Sequence, residues 1–244
     1  MTNRLHIFGK KVGLCISGEK TKAMTVWDRT TTSPITLEGQ NIEKVDKFQY
    51  LGNYLSENGD VEVDIRARLG KASSVFQRLR PIWKCSTVKK DVKLRLYSSI
   101  VVPTGIYASE TWKTTNKINK MIDVFHRRCL RSILGISWRD HITNDEVMAQ
   151  AEQIALHDTV ATRRRRFVGQ ILRLPTTRPA SLALEWIPED CRRRVGRPRR
   201  TWQDTLKEDL DTLGVDWSDA RDTANDRARW RQLVARCSAQ NGRN

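Results

Sequence analysis

The sequence predicts a mainly α-helical protein with a small β-sheet region at its N-terminal end. Residues 1–58 contain short runs typical of strands, separated by turn signals such as Glu38-Gly39. These runs are Lys22–Trp27, Ile35–Val45 and Phe48–Leu55. From Asp60 onward, apolar residues recur every three or four positions, which is the period of a helix with one buried face.

The first predicted helix runs from Asp60 to Trp83. Its apolar stripe consists of Ile65, Leu69, Ala72, Phe76, Leu79 and Trp83. The second begins near Thr87 and is expected to break at Pro103-Thr104-Gly105, because proline lacks the N–H that a helix interior needs. Its predicted buried face consists of Val92, Leu96, Ser99 and Ile100.

The third predicted helix, from Asn116 to about Ile136, carries two stripes of side chains. The apolar stripe consists of Ile118, Ile122, Phe125, Cys129, Ile133 and Ile136. The basic stripe consists of Lys117, Lys120, Arg127 and Arg131. The two stripes point in different directions, because each residue turns the helix by about 100°. One face can therefore pack against the protein while the other contacts phosphates.

The fourth predicted helix, from Ile154 to Leu174, contains the arginine run Arg163–Arg166. Its inward positions are Leu156, Val160, Phe167, Ile171 and Leu174. Four consecutive helical residues cannot share one face. Arg164 falls in the apolar register, so it must extend to solvent, pair with an acid or reach a ligand. The other three arginines are candidates for contact with nucleic acid.

The C-terminal part begins with a basic loop, Pro188–Arg200. Thr201 followed by Asp204 is typical of a capped helix start, and Gly214 is expected to end that helix. A last helix starts near Ser218, with Ala224, Trp230, Leu233 and Cys237 as its apolar positions. The acidic residues on the capped helix, interpreted as a solvated face, are Glu208, Asp209 and Asp211.

These patterns divide the chain into three regions, at 1–58, 59–140 and 141–244. The formal net charge is +16, and most of it lies in the middle region, where 17 basic residues stand against 7 acidic ones. A localised basic excess favours a phosphate-binding surface, because neutralising phosphates releases condensed counterions. An ordinary solvated face is the alternative.

The motifs of common enzyme classes, such as a glycine-rich phosphate loop or a His-Glu-x-x-His helix, are absent. His126 and Cys129 stand at ligand spacing, but two ligands do not make a zinc site, and Cys129 lies in an apolar stripe. We interpret both as core residues and predict no metal site. The five scattered cysteines and the short apolar stretches favour an intracellular protein, in the nucleus or the cytoplasm, without a membrane span.

Several short sequence motifs, taken in order, are similar to motifs of one protein family. The first two are Gly13–Met24 (GLCISGEKTKAM) and Phe48–Leu55 (FQYLGNYL). The later motifs are Glu110-Thr111-Trp112, Arg127–Leu134, Trp138–Asn144 and Gly196–Trp202. Together they resemble the C-terminal part of a non-LTR (LINE-type) retrotransposon endonuclease/reverse transcriptase. The resemblance implies a late-palm remnant at 1–58, a thumb-like helical bundle at 59–140 and a helical post-thumb tail at 141–244.

The resemblance also implies roles for individual residues. Lys20, followed by Lys22, matches a palm lysine near the departing pyrophosphate, although Ser17 stands where the family commonly has asparagine. Tyr50-Leu51-Gly52 matches the primer grip; the alternative for Tyr50 and Leu51 is simple hairpin core. Arg66, Arg68 and Lys71 cluster on the first thumb-like helix and are expected to follow a nucleic-acid backbone.

The catalytic aspartates of that family lie upstream of the segment that begins at Gly13, and no Asp-Asp dipeptide occurs in this chain. A complete polymerase would need such carboxylates to hold Mg²⁺. We therefore expect a truncated fragment without a cofactor of its own, inactive as a polymerase alone. A longer protein could supply the missing palm and fingers.

The basic loop contains Gly196-Arg197-Pro198, which resembles an AT-hook, a segment whose extended Arg-Pro backbone lies in a narrow minor groove. Arg197, Arg199 and Arg200 are therefore candidate contacts. A nuclear-import signal and a solvated linker that leads into the next helix are the alternatives.

From the charge and the resemblance together, we expect the chain to bind RNA, DNA or an RNA/DNA hybrid without sequence specificity. The candidate contacts are Lys20, Lys22, Tyr50, Leu51, Gly52, Arg66, Arg68, Lys71, Lys117, Lys120, Arg127, Arg131, Arg163, Arg165, Arg166, Arg197, Arg199 and Arg200. The alternative is an independent helical interaction module that binds an acidic protein partner.

Overall fold

The computed structural model describes residues 2–25, 34–186 and 200–241. It confirms a mainly α-helical fold with short strands near the N-terminus. The chain folds as two compact units, 1–67 and 68–244.

The N-terminal unit holds one helix and six short strands among its described residues. These are α1 (Thr2–Lys11), β1 (Lys22–Ala23), β2 (Thr36–Leu37), β3 (Gln40–Asn41), β4 (Glu43–Lys44), β5 (Lys47–Tyr50) and β6 (Asn53–Ser56). The strands pair as parallel β1-β4 and antiparallel β2-β3 and β5-β6. Helix α1 packs on β2, where Glu38 accepts hydrogen bonds from His6 at 2.8 Å and Lys10 at 2.6 Å. Sequence patterns do not predict α1, because its apolar residues Leu5, Ile7 and Phe8 are exposed and form no buried stripe.

The β5-β6 hairpin is the best-defined sheet element of this unit. Its register pairs Tyr50 with Asn53, so Leu51 and Gly52 form a two-residue turn. Both have positive φ, 48° and 82°, as tight hairpin turns require. The carboxylate of Asp64 accepts a hydrogen bond from the Tyr54 backbone N–H at 2.9 Å, which fixes the returning strand to the start of the next helix.

From residue 62 onward the structure is helical. The helices are α2 (Glu62–Arg78), α3 (Arg80–Lys84), α4 (Lys90–Leu96), α5 (Val102–Gly105), α6 (Asn116–Leu134), α7 (Asn144–Ala151), α8 (Leu156–Leu172), α9 (Pro179–Glu185), α10 (Trp202–Leu213), α11 (Ala220–Asn225) and α12 (Arg227–Asn241). A π-helical segment, Tyr97–Val101, joins α4 to α5, and 3₁₀ turns lie at Ser109–Thr111 and Trp138–Asp140. Helix α2 begins in the first unit and ends in the second.

The first predicted helix is in fact two helices, α2 and α3, separated at Leu79. Pro81 explains the break, because it cannot donate the backbone hydrogen bond that would continue α2. The predicted apolar stripe is otherwise confirmed, with Leu79 half-buried and its other members buried. Trp83 stacks on Phe76 with ring centroids 5.2 Å apart, and its indole N–H donates to the Phe76 carbonyl at 2.8 Å.

The buried face predicted for the second helix is wrong. Val92, Ser99 and Ile100 are exposed, and Leu96 is half-buried. Leu94, Tyr97, Val101 and Val102 are buried instead. The buried residues Leu94, Tyr97 and Val101 recur at the ordinary spacing of three and four, so the prediction has the right period but the wrong phase. The predicted stop is confirmed, since α5 ends at Gly105.

Helix α6 matches its prediction closely. Thr115 caps its start by accepting from the Ile118 N–H, and Gly135, at φ 72°, ends it. Its predicted apolar residues are buried except Ile136, which lies beyond the helix and is half-buried.

Helix α8 lies at the centre of the second unit. Leu156 and Val160, near its start, are buried where α8 packs on α6. Val168, Ile171 and Leu172, near its end, belong to a second core with α9 to α12. The members of that core on the later helices are Leu184, Leu206, Leu210, Leu213, Val215, Ala220, Ala224, Trp230, Val234 and Cys237. Leu174, predicted to point inward, is exposed because α8 has already ended at Leu172.

The C-terminal helices follow the predicted signals with one exception. Thr201 and Asp204 form a capping box at the start of α10, and Gly214 ends it at φ 66°. The predicted last helix is divided into α11 and α12. Asp226 separates them, and its carboxylate accepts from the N–H groups of Ala228 and Arg229 at 2.9 and 3.0 Å.

Helices α8 and α12 approach each other most closely at Gly169. A Cβ atom at this position would lie 2.2 Å from Nε1 of Trp230, which is a steric overlap. The same Nε1 donates to the Arg165 carbonyl at 3.1 Å. Gly169 therefore permits both the packing and the hydrogen bond.

We predict that Gly169→Ala lowers the free energy of unfolding by about 2 kcal/mol or more, because the added methyl displaces Trp230. Urea denaturation measures this change. Gly70→Ala is the matched control, because a Cβ there meets no atom within 4 Å and alanine should stabilise the helix by about 1 kcal/mol. Equal effects of the two substitutions would contradict the close contact.

Candidate nucleic-acid interface

The basic stripe of α6 lies on the side of the helix away from the buried stripe. Lys117 and Lys120 are exposed, and Arg127 and Arg131 are half-buried. Arg131 is held in place, because its guanidinium donates to the Ile142 carbonyl at 2.8 Å and to the Asn144 side chain at 3.1 Å. The part of the stripe that faces solvent most openly is therefore its N-terminal half.

The arginine run on α8 divides between the interior and the surface. Arg166 is exposed, and Arg163 is half-buried and donates to the Ile106 carbonyl at 3.2 Å. Arg164 and Arg165 are buried, at 3% and 5% exposure. Of the three arginines predicted to contact nucleic acid here, Arg166 is the one on the open surface.

Asp209 of α10 lies next to both buried arginines. It forms an ion pair with Arg164, and its other oxygen lies 3.4 Å from Nε of Arg165. The interpretation of Asp209 as part of a solvated face is wrong, since it is only 5% exposed. Of the three solutions open to Arg164, pairing with an acid is the one found. Two buried cations share one carboxylate, so this site depends strongly on Asp209.

A polar cleft of about 460 Å³ lies between α6, α8 and α10. His157 lies on its wall, with Nδ1 2.7 Å from the Asp123 carboxylate and Nε2 3.4 Å from Asp158. The hydrogen bond to Asp123 raises the pKa of His157 above its ordinary value. Among the described residues that line this cleft, the acids Asp158, Glu208 and Asp209 equal the arginines in number.

In the N-terminal unit, Lys20 is exposed and Lys22 pairs with Glu43. Tyr50 is exposed and Leu51 has 76% of its surface exposed, so neither forms hairpin core. Leu51 also adopts the left-handed conformation, which costs a non-glycine residue about 1–2 kcal/mol. Neither packing nor backbone preference explains a leucine here, whereas Gly52, half-buried at φ 82°, fits its turn position.

The basic cluster predicted on the first long helix separates into three environments. Arg66 is exposed and pairs with Glu62 one turn earlier. Arg68 is buried and lies over the Tyr107 ring at 4.6 Å. Lys71 is exposed.

In the basic loop, Arg197 and Arg199 lie outside the described residues. Arg200 pairs with Glu208 and donates from Nε to the Thr205 hydroxyl at 3.2 Å. The hydrogen bond to Glu208 raises the pKa of Arg200. Arg200 therefore has a structural role at the start of α10.

His126 and Cys129 lie in the core, where Nδ1 of His126 is 2.8 Å from the Tyr97 hydroxyl. Burial lowers the pKa of His126 to about 4 and raises that of Cys129 to about 12, so both are neutral at pH 7. Within the described ranges, no three His, Cys, Asp or Glu side chains are grouped to hold a metal ion. No helix in the described part of the chain is both long and apolar enough to cross a membrane.

Comparison with known proteins shows a similarity to a protein of mobile-element origin. The chain is 27% identical over 207 residues to a putative uncharacterized transposon-derived protein of Caenorhabditis elegans, covering 80% of this chain and 72% of that protein. No protein-family model and no solved structure matches the chain. The chain is thus similar to a transposon-derived protein.

We predict that Asp209→Asn lowers the free energy of unfolding by about 3–5 kcal/mol, because two buried guanidinium groups lose their counter-charge. Denaturant titration measures the change. Asp211→Asn, on the exposed side of the same helix, is the control, with an expected change within about 0.5 kcal/mol. A similarly small effect at Asp209 would show that the buried pair does not stabilise the fold.

The hydrogen bond between His157 and Asp123 predicts a pH dependence of stability. Because the folded pKa of His157 is raised, the bond stabilises the fold fully below the unfolded pKa of about 6.5, and this stabilisation disappears as pH rises through the folded value. The difference in Tm between wild type and His157→Gln should therefore shrink from about pH 6 upward. In an Asp123→Asn background the trend should be much weaker, because among the described residues only Asp158 then favours the charged His157. A difference that grows with pH would contradict the assignment.

Proposed function

We propose that this protein is a transposon-derived nucleic-acid-binding protein whose α6 stripe contacts the phosphate backbone of RNA, DNA or an RNA/DNA hybrid. The observation that carries the proposal is the basic stripe on the face of α6 that does not pack in the core. Lys120 is exposed and Arg127 half-buried, while Ile118 and Ile122 anchor the opposite side in the core. Because α6 is capped at both ends and packed along its length, these charges are presented on a rigid element.

Backbone contact gives binding that does not depend on base sequence. Lysine and arginine bind phosphates through charge, and such contacts carry no base information. The middle region, with 17 basic and 7 acidic residues, adds a field that attracts polyanions.

We further propose that the chain corresponds to the late palm, thumb and post-thumb tail of a non-LTR retrotransposon reverse transcriptase, without polymerase activity of its own. The similarity to a transposon-derived protein supports a mobile-element origin. The exposed, strained tip of the β5-β6 hairpin is consistent with a primer grip, because a leucine that serves neither packing nor the turn is free to contact a nucleic-acid end.

The test is the salt dependence of binding to an RNA/DNA hybrid. In Lys117→Gln/Lys120→Gln/Arg127→Gln, the slope of log affinity against log salt should fall by about 0.9 for each phosphate that the variant no longer neutralises. Arg131 is left unchanged, because it supports the segment after α6.

Lys207→Gln/Arg229→Gln/Arg236→Gln is the control, with the same change in net charge at exposed positions of α10 and α12. Equal reductions of the slope in both variants would show a general charge effect and contradict the interface. If binding to an acidic polypeptide withstands added salt as well as binding to the hybrid does, a protein partner is favoured instead.

A further inference from the structure

A second cleft, of about 750 Å³, lies between the end of α8 and the start of α12. Its walls carry four arginines: Arg166, Arg173, Arg227 and Arg231. Arg166 and Arg173 stand seven residues apart on or at the end of α8, and Arg227 and Arg231 stand four apart on α12. Each pair therefore lies along one face of its helix, and the two rows line the same cleft.

None of the described residues that line the cleft is acidic. Within the described part of the chain, Arg166, Arg227 and Arg231 form no ion pair, and Arg173 donates to the Ala224 carbonyl at 3.1 Å. Burial and the charges of Arg227 and Arg231 lower the pKa of Arg173. Like charges are thus held together without a counter-charge, unlike the balanced cleft beside α6.

Close packing fixes the distance between these rows. Trp230 lies at the base of the cleft, 3% exposed, with its indole against Gly169. The rest of the lining is mainly aliphatic, including Leu174 and Val234. Among the described residues that line the cleft, no aromatic face is open for base stacking, so the cleft offers chiefly positive charge and guanidinium donors.

We propose that this cleft is a phosphate-binding site that takes the backbone phosphates of a nucleic acid. Guanidinium groups donate paired hydrogen bonds that match phosphate oxygens, and an anion relieves the repulsion among the four arginines. The nucleic-acid backbone as ligand rests on the proposed function, whereas phosphate binding by the cleft does not. Free oligophosphate is the other source of the same chemistry.

The test compares Arg166→Gln/Arg231→Gln with Arg229→Gln/Arg236→Gln. Both remove two exposed arginines, but Arg229 and Arg236 lie on α12 away from the cleft. The probes are an RNA/DNA hybrid of mixed sequence and tripolyphosphate, with circular dichroism to verify folding. The cleft variant should bind the hybrid about tenfold more weakly, with the salt slope reduced by about 0.9 per arginine, while the control stays near wild type.

The two probes separate the two proposals. In one outcome, the wild type binds tripolyphosphate but not the hybrid, and the cleft variant no longer binds tripolyphosphate. The cleft is then a site for free oligophosphate, and the proposed function fails. In another outcome, hybrid binding weakens in the α6 variant, while the cleft variant and the control variant change it equally. The cleft proposal is then overturned and the proposed function stands. Equal affinity for tripolyphosphate in the cleft variant and the control variant also overturns the cleft proposal.

Discussion

The close packing of α8 on α12 is the constraint on which the second unit depends. Gly169 lets the Trp230 indole lie against the α8 backbone, and the indole N–H satisfies the Arg165 carbonyl. Since one end of α8 packs on α6 and the other on α12, this helix joins both halves of the core. The same packing turns the Arg166 face of α8 toward α12, so the core determines where surface charge is concentrated.

Most of the fold can be predicted from local signals. The cap at Thr201, the stop at Gly214 and the apolar stripes of α2 and α6 depend on neighbours in sequence, and each is confirmed. The errors have two different causes. The phase of the buried face along α4 depends on which distant elements pack against it, and Asp226 divides the last helix by capping its second half. Helix α1 has no buried apolar stripe, so hydrophobic periodicity cannot reveal it.

The site is less predictable, because its decisive interactions join distant residues. The apolar register marks Arg164 as misplaced, yet nothing local identifies Asp209, 45 residues away, as its partner. The arginine cleft has a partial signal, the seven-residue and four-residue spacings of its two rows, but their common cleft follows from the packing of α8 on α12. Whether a basic residue is free for phosphate depends on that packing, as the buried Arg165 and the exposed Arg166 show side by side.

The central claim is that nucleic acid contacts particular arginines and is not held by the overall positive charge of the chain alone. Arginine modification by phenylglyoxal, read by mass spectrometry with and without bound RNA/DNA hybrid, tests it at individual residues. Arg166, Arg227 and Arg231 should become protected, whereas the exposed Arg229 and Arg236 should react at the same rate in both samples. Equal protection of all five arginines, or of none, would contradict the account.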